Sequence, residues 1–444
     1  MVVIAWLFSR NRKAISWRLV IIGLGLQIGI GALMLSDIGF LQVIFQGVAD
    51  AFVSLVGYAT HGSQFVFNAL GVNTSTDGSG FYFAFQILPI IIFFSAITSG
   101  LYYLGILQRV VKVFAWVMAR SMRLSGSESI SAAANVFLGQ TEAPLLVKPY
   151  ISGMTRSEIM CLMTGGMATI AGSVMGAYIG MLGGTSEIAL NFLTASLMNA
   201  PAAIVCAKIL VPETRHDLIN TDLRVSNEKI GSNFIDALAN GTSEGLKLAL
   251  NVGAMLIAFV AIIYMINGVF LWIGDITNLN EIIRESTRIV IGSDPQGNPV
   301  YMMDPTDPTK FFSTFDGLSL QYIVGQVFQF IAFAIGVDWN DSLFVGALLG
   351  TKVIVNEFIA FDMLSKVPVT TDEAVGAISE RTKTLATFAL CGFANFSSIA
   401  IQIGGTGGIA PNQRVTLSQL GLLAVLGGML ASLMSAAIAG MFIP

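Results

Sequence analysis

Leu138-Gly139-Gln140-Thr141-Glu142-Ala143-Pro144 puts a carboxylate, two hydrogen-bonding side chains and a proline into a region with apolar neighbours on both sides. If that region lies in lipid, a carboxylate at its centre costs about 2.5–3.5 kcal/mol even on lenient insertion scales. Pro144 removes a backbone donor two residues after Glu142 and stops a regular helix running through. Unwound backbone is tolerated at membrane depth only where protein buries it or it lines a watery cavity. A re-entrant hairpin whose tip presents Gln140, Thr141 and Glu142 to such a cavity satisfies all three facts.

The same arrangement recurs. Ile354-Val355-Asn356-Glu357-Phe358-Ile359-Ala360 carries a second polar–glutamate pair inside an apolar stretch. The first segment is followed by a span containing Gly166-Met167-Ala168-Thr169-Ile170-Ala171-Gly172. The second is followed by one containing Gly392-Phe393-Ala394-Asn395-Phe396-Ser397-Ser398. Each half reads as an amphipathic helix, a broken segment, a small-residue span with a polar interruption and one further span. An odd number of crossings separates the halves, so the second lies upside down relative to the first. Interrupted segments at matching places in an inverted repeat point to the binding site of a transporter.

Composition sets the solvent. Of 444 residues, 54% are hydrophobic and 11% charged, too few charges for a water-facing surface, and the 46 glycines suit close helix contacts in a membrane. A net charge of −4 spread over loops gives no sign of nucleic acid. Cys161, Cys206 and Cys391 lie in apolar runs and read as small buried hydrophobes; His61 and His216 are far apart, so no Cys/His metal cluster is expected.

Apolar runs then predict an all-α membrane protein with eight spanning segments, two re-entrant hairpins and interfacial amphipathic helices. Met1–Ser9 is apolar and precedes Arg10, Arg12 and Lys13, the reverse of signal-peptide order; it is too short to span, and is expected to be partly interfacial or a late start relative to relatives. Trp17–Leu35, Phe81–Gly105, Ile159–Leu182, Glu187–Leu210, Leu248–Ile273, Thr384–Gly405 and Leu417–Ile443 are the longer spans. No Lys or Arg occurs from Val20 to Gln108, which places Ser36–Gly80, with His61, outside, and both termini with it. Within that region Leu41–Tyr58, with Gln46, Asp50 and Ser54 at four-residue spacing, reads as an amphipathic helix at the interface or along a subunit contact. Ile106–Leu124, with Arg109, Lys112, Arg120 and Arg123, reads as basic and cytoplasmic; Leu318–Val337 is a second amphipathic segment. Val211–Lys247, with Arg215, Arg224 and Lys229, is expected to be a cytoplasmic loop. Asp275–Asp316, with Asp294-Pro295, Asp304-Pro305 and Asp307-Pro308, is expected to be an external insert. Lys148 and Lys352 are expected to snorkel or pair near hairpin ends, and Gly404-Gly405-Thr406-Gly407-Gly408 to form a flexible turn rather than a phosphate loop.

Taken together, Gly139-Gln140-Thr141-Glu142-Ala143-Pro144-Leu145-Leu146, Val355-Asn356-Glu357-Phe358-Ile359-Ala360 and Cys391-Gly392-Phe393-Ala394-Asn395-Phe396-Ser397-Ser398-Ile399-Ala400 resemble the concentrative nucleoside transporters in their bacterial form with a short N-terminus. The likeness runs from Asn11-Arg12-Lys13-Ala14-Ile15 to the last span. It implies a multi-pass protein of the bacterial inner membrane, a homotrimer, and a nucleoside such as uridine imported with sodium by alternating access. It also implies residues 1–124 as scaffold, 125–211 as the first transport repeat, 212–316 as connection, long span and insert, and 317–444 as the second repeat. By resemblance Gln140, Thr141 and Glu142, with Val174 alongside, face the base, and Glu357, Phe393, Asn395 and Ser398 face the ribose. Sodium is implied at Asn135, Leu138, Thr169 and Ile170, the second and fourth through backbone carbonyls; Thr169 stands where relatives often have serine. The chemistry suits these roles, since a Glu–Asn–Ser set can bond neutral hydroxyls and unwound oxygens suit a hard cation.

Other readings remain open at this stage. Some relatives couple to protons, a task open to Glu142, and a nucleobase is an alternative cargo. A membrane-embedded enzyme built on Ser397, Ser398, His61 and Asp50 is a different class, but neither Gly-x-Ser-x-Gly nor His-Glu-x-x-His occurs.

Overall fold

The computed structural model describes residues 1–36, 39–72, 81–215, 217, 231–288, 290–293, 299–301, 313–367, 369–370 and 378–443. His216, Arg224, Lys229 and the three Asp-Pro pairs of the insert lie outside them. The chain opens with a short helix α1 (Val2–Leu7), then α2 (Trp17–Leu35), α3 (Gly39–Phe67), α4 (Phe83–Gln86), α5 (Leu88–Tyr103) and α6 (Ile106–Met122). The first broken segment follows as α7 (Gly126–Asn135), α8 (Ala143–Leu146) and α9 (Lys148–Ile151). Next come the interrupted helix α10 (Arg156–Ala168) plus α11 (Gly172–Met181), and the unbroken α12 (Ser186–Leu210). A connection of α13 (Phe234–Ile276), α14 (Leu279–Ser286) and the antiparallel pair β1 (Val290–Ser293) and β2 (Pro299–Tyr301) leads to α15 (Leu320–Ala334). The second broken segment is α16 (Trp339–Ile354) and α17 (Glu357–Lys366). After it run α18 (Glu380–Leu390), α19 (Phe396–Ile409) and α20 (Arg414–Ala439).

Local chemistry explains where these helices start. Ser125 with Glu128 and Thr155 with Glu158 form complete capping boxes at α7 and α10. Asn356 caps α17 and Asn395 caps α19, each by accepting a backbone N–H three residues on. The polar residues that interrupt the apolar runs are thus the residues that restart the helices.

Among the described residues, seven stretches are long and apolar enough to cross a membrane: Trp17–Leu35, Val43–Gly71, Phe83–Tyr103, Arg156–Met181, Ser186–Leu210, Phe234–Ile276 and Pro411–Ala439. The pair α15 and α16, bent by 118°, passes the same test jointly. Burial sorts them. The most apolar stretch of Arg156–Met181 is 94% buried, whereas that of Phe234–Ile276 is only 6% buried. α10, α12 and α20 form the inner bundle, with α2 against α12, while α13 lies outside along α5. A Cβ on Gly241 or Gly245, one turn apart on α13, would come within 3 Å of Ser95 or Ile92 backbone, so these glycines let α13 and α5 touch.

Several expectations change. The amphipathic helix over 41–58 extends as α3 to Phe67 and takes in His61, which the sequence placed only as outside. The loop 211–247 ends early, because Asn233 caps α13 at Phe234 and makes that helix 43 residues long. The insert contains α14 and a short hairpin. Gly404–Gly408 is helical within α19, and its small residues serve packing: a Cβ on Gly407 would meet Arg414 at 2.7 Å. Lys352 does not snorkel; it is 1% exposed.

Candidate functional site

The two interruptions face each other. Asn199, buried on α12, donates through Nδ2 to the Ala168 carbonyl (2.7 Å) at the end of α10 and to the Cys391 carbonyl (3.0 Å) just past α18. Gly392, with φ +136°, lies so close that a Cβ there would sit 2.5 Å from the Ala168 oxygen. Only glycine suits this crossing, for both its dihedral and its contact.

Around it runs a polar chain joining both halves. Tyr178 on α11 donates to Glu357 Oε1 (2.9 Å), and Asn395 Nδ2 donates to Glu357 Oε2 (2.9 Å). Asn395 Oδ1 accepts from the Ser397 hydroxyl (2.7 Å) and the Ser398 N–H (2.9 Å). Ser398 Oγ accepts from Gln140 Nε2 (3.1 Å), and Gln140 Oε1 accepts from Gln402 Nε2 (3.1 Å), which also reaches the Met163 carbonyl. Glu357, Asn395, Ser398 and Gln140 are all buried, and the buried Gln402 Oε1 has no partner. A buried acceptor without a donor is costly, so this chain is open to a further hydrogen bond.

The remaining residues take other positions. Glu142, half-buried, accepts the Gly139 N–H (3.2 Å) within its own turn. Thr141 is exposed, with its methyl toward Gly405 on α19. Val174 is buried one turn before Tyr178, and Phe393 is partly buried against the core.

Asn135 and Thr169 converge on Gly165. Thr169 Oγ1 donates to the Gly165 carbonyl (2.9 Å), and a Cβ on Gly165 would stand 2.9 Å from Asn135 Nδ2. Asn135 is 1% exposed, yet neither its Oδ1 nor its Nδ2 has a partner. Among the described residues nothing donates to the carbonyls of Leu138 or Ile170. A buried, unsatisfied carboxamide beside the Thr169 hydroxyl, with two undonated carbonyls in the neighbouring helix breaks, supplies oxygens of the kind a small hard cation takes.

The chain matches the family model described as Na+ dependent nucleoside transporter C-terminus over residues 191–440, the corresponding N-terminal model over residues 1–70, and a nucleoside-recognition gate model over residues 84–185. The chain belongs to the concentrative nucleoside transporter family. It is 42% identical to an uncharacterized transporter of Haemophilus influenzae over 100% of this chain and 95% of that one. It is 37% identical to the nucleoside permease NupC of Helicobacter pylori, covering 99% and 95%. Its structure is similar to that of CNTnw in an inward-facing substrate-bound state, with TM-score 0.83 and 37% identity over 99% of this chain and 95% of that one. The transporter is an all-α membrane protein of a family of nucleoside permeases, and it is not an enzyme.

Sequence reasoning about the transporter missed Tyr178, Gln402 and Asn199. Gln402 and Asn199 are amides in apolar runs and carry the same signal as the glutamates, more faintly; Tyr178 stands four residues after Val174 on one helix face.

Proposed function

We propose that the transporter is a sodium-coupled nucleoside importer of the bacterial inner membrane, working by alternating access as a homotrimer. The observation that carries this is the hydrogen-bonded chain from Gln140 through Ser398 and Asn395 to Glu357, which joins the two broken segments at one buried place. Gln140, Thr141 and Glu142, with Val174, take the base. Glu357, Asn395 and Ser398 take the ribose, and Phe393 covers an apolar face. Both Glu357 oxygens already accept one bond and retain lone pairs, so a ribose hydroxyl completes the set. Asn135 and Thr169, with the Leu138 and Ile170 carbonyls, bind sodium as co-substrate, and the partnerless Asn135 carboxamide supports this. Residues 125–211 and 317–444 act as an inverted pair of re-entrant repeats moving against a scaffold that includes residues 1–124.

Liposomes containing the purified chain test this by uptake of labelled uridine under an inward sodium gradient, and under a proton gradient at equal sodium. Sodium-driven accumulation blocked by other nucleosides is expected. Proton drive alone would overturn the roles of Asn135 and Thr169, and nucleobase uptake without nucleoside uptake would overturn the ribose roles.

A further inference from the structure

Lys352 stands in the last turn of α16, just ahead of the break at Val355 and Asn356. Its Nζ donates to the Ala389 carbonyl (2.9 Å) in the last turn of α18 and to Ser432 Oγ (3.1 Å) on α20. It is 1% exposed, and among the described residues no carboxylate pairs with it. An ammonium removed from water needs oxygens to replace hydration, and the carbonyl end of a helix supplies them together with the negative end of its dipole.

The corresponding place in the first half is different. Asn135 closes α7 ahead of the break at Leu138–Glu142, and it faces Gly165 in the last turn of α10, itself followed by an interruption. There the side chain is neutral and partnerless. Each half therefore sets one residue, at the end of the helix before its glutamate, against the last turn of its interrupted helix. One half sets a neutral, unpartnered carboxamide at that position, and the other sets a positive charge there.

We propose that the Lys352 ammonium is a tethered cation, filling in the second half the helix-end position that the first half leaves to a diffusible one. A single exchangeable cation then accompanies each nucleoside. The proposal rests on the sodium-coupled reading above.

Reversal potentials of liposomes containing the full chain, set by known sodium and uridine gradients, report the charge moved per nucleoside. One is expected, and two overturns the proposal. Lys352→Met and Lys352→Gln keep most of the side-chain bulk and remove the charge. Their sodium activation curves are expected to turn from hyperbolic to sigmoidal, with uptake at low sodium falling about tenfold and recovering in methylammonium. Lys352→Arg is expected to keep the hyperbolic curve. Folded neutral variants with the wild-type curve overturn the assignment. If thermal melting shows that both neutral variants are unfolded, the wild-type charge ratio and the arginine variant decide. Wild-type uptake indifferent to sodium would instead sink the sodium-coupled reading, a result separable from a ratio of two.

Discussion

Glu357 accepts from Tyr178 and Asn395, donors on α11 and at the cap of α19, so its carboxylate is aimed from both halves of the molecule. Hydrogen bonds to a charged group contribute about 1.5–3 kcal/mol, so Glu357→Gln is expected to lower uridine kcat/KM about tenfold to a hundredfold. Uptake kinetics in vesicles check this, and wild-type kinetics would remove Glu357 from the site. Tyr178→Phe keeps the ring among Phe192, Phe358 and Phe361 and deletes one donor. Its KM for uridine should rise about fivefold to tenfold, with little change for dideoxy analogues and little loss of thermal stability. Asn135→Ala should raise the half-saturating sodium concentration about tenfold, read from sodium titrations of uptake. Glu142 and Glu357 were legible in the sequence because a carboxylate among apolar residues has a high energetic cost. Tyr178 was not, because an aromatic residue in an apolar run is unremarkable until its hydroxyl is seen to reach Glu357, 179 residues away. For Lys352 the sequence left snorkelling and pairing open; it pairs, and local sequence could not name its partners, which lie 37 and 80 residues on.

The interrupted helices depend on each other at their breaks. Gly392→Ala adds a Cβ against the Ala168 carbonyl and forces an alanine into a dihedral it disfavours, which costs about 1–3 kcal/mol before any clash. A lowered melting temperature together with lost uptake is the expected pair, while Gly404→Ala, with open space around it, should leave both unchanged. A second polar knot anchors the ends of α7, α10 and α12. Lys208 pairs with Glu128 and donates to Ser157 (3.0 Å), while Ser127 donates to Glu158 (3.0 Å) and Thr155 to Glu213 (2.6 Å). Removing one partner of such a buried pair strands the other, so Lys208→Ala should cost about 3–5 kcal/mol in unfolding experiments. Partial burial pushes the Glu213 carboxyl up, but Thr155, the N–H groups of Arg215 and Thr214 and the Lys208 charge outweigh it and hold it below the usual carboxylate range. Its contribution is therefore present above the ordinary glutamate value and is lost as pH falls through the folded one. Element order was readable from apolar spacing, and the breaks from their polar residues. Helix ends were not: the cap at Asn233 that begins α13 lies among polar residues that resemble a loop.

Among the described residues, exposed apolar side chains occur on many helices, and α13 and α3 each carry a row of them. On α13 Ile257, Tyr264, Met265, Val269 and Trp272 are more than half exposed, and on α3 Val43, Tyr58, Phe65 and Val66 are as well. The α13 set suits acyl chains, and in a trimer the α3 set suits a second copy. Phe65→Glu is then expected to shift the purified protein from three copies to one in light scattering with little change in helix content; an unchanged mass would move the subunit contact off α3. The sequence suggested the α3 surface only as a four-residue spacing and the α13 surface only as an apolar run, since which apolar face is covered depends on neighbours that no local pattern names.

At about 1.5 Å per residue, α13 is about 65 Å long, roughly twice the hydrocarbon layer it must cross. From Leu248 to Gly274 it carries no charged side chain, whereas Asp236, Glu244 and Lys247 fall in its first third. During synthesis the insertion machinery therefore receives one continuous helix but can release only part of it into lipid. The leading third is covered by protein instead: Gly241 and Gly245 bring it against Ser95 and Ile92 of α5, and Ser99 donates to the Ala237 carbonyl (2.7 Å), so the charged end of the helix is held by a neighbour rather than by lipid.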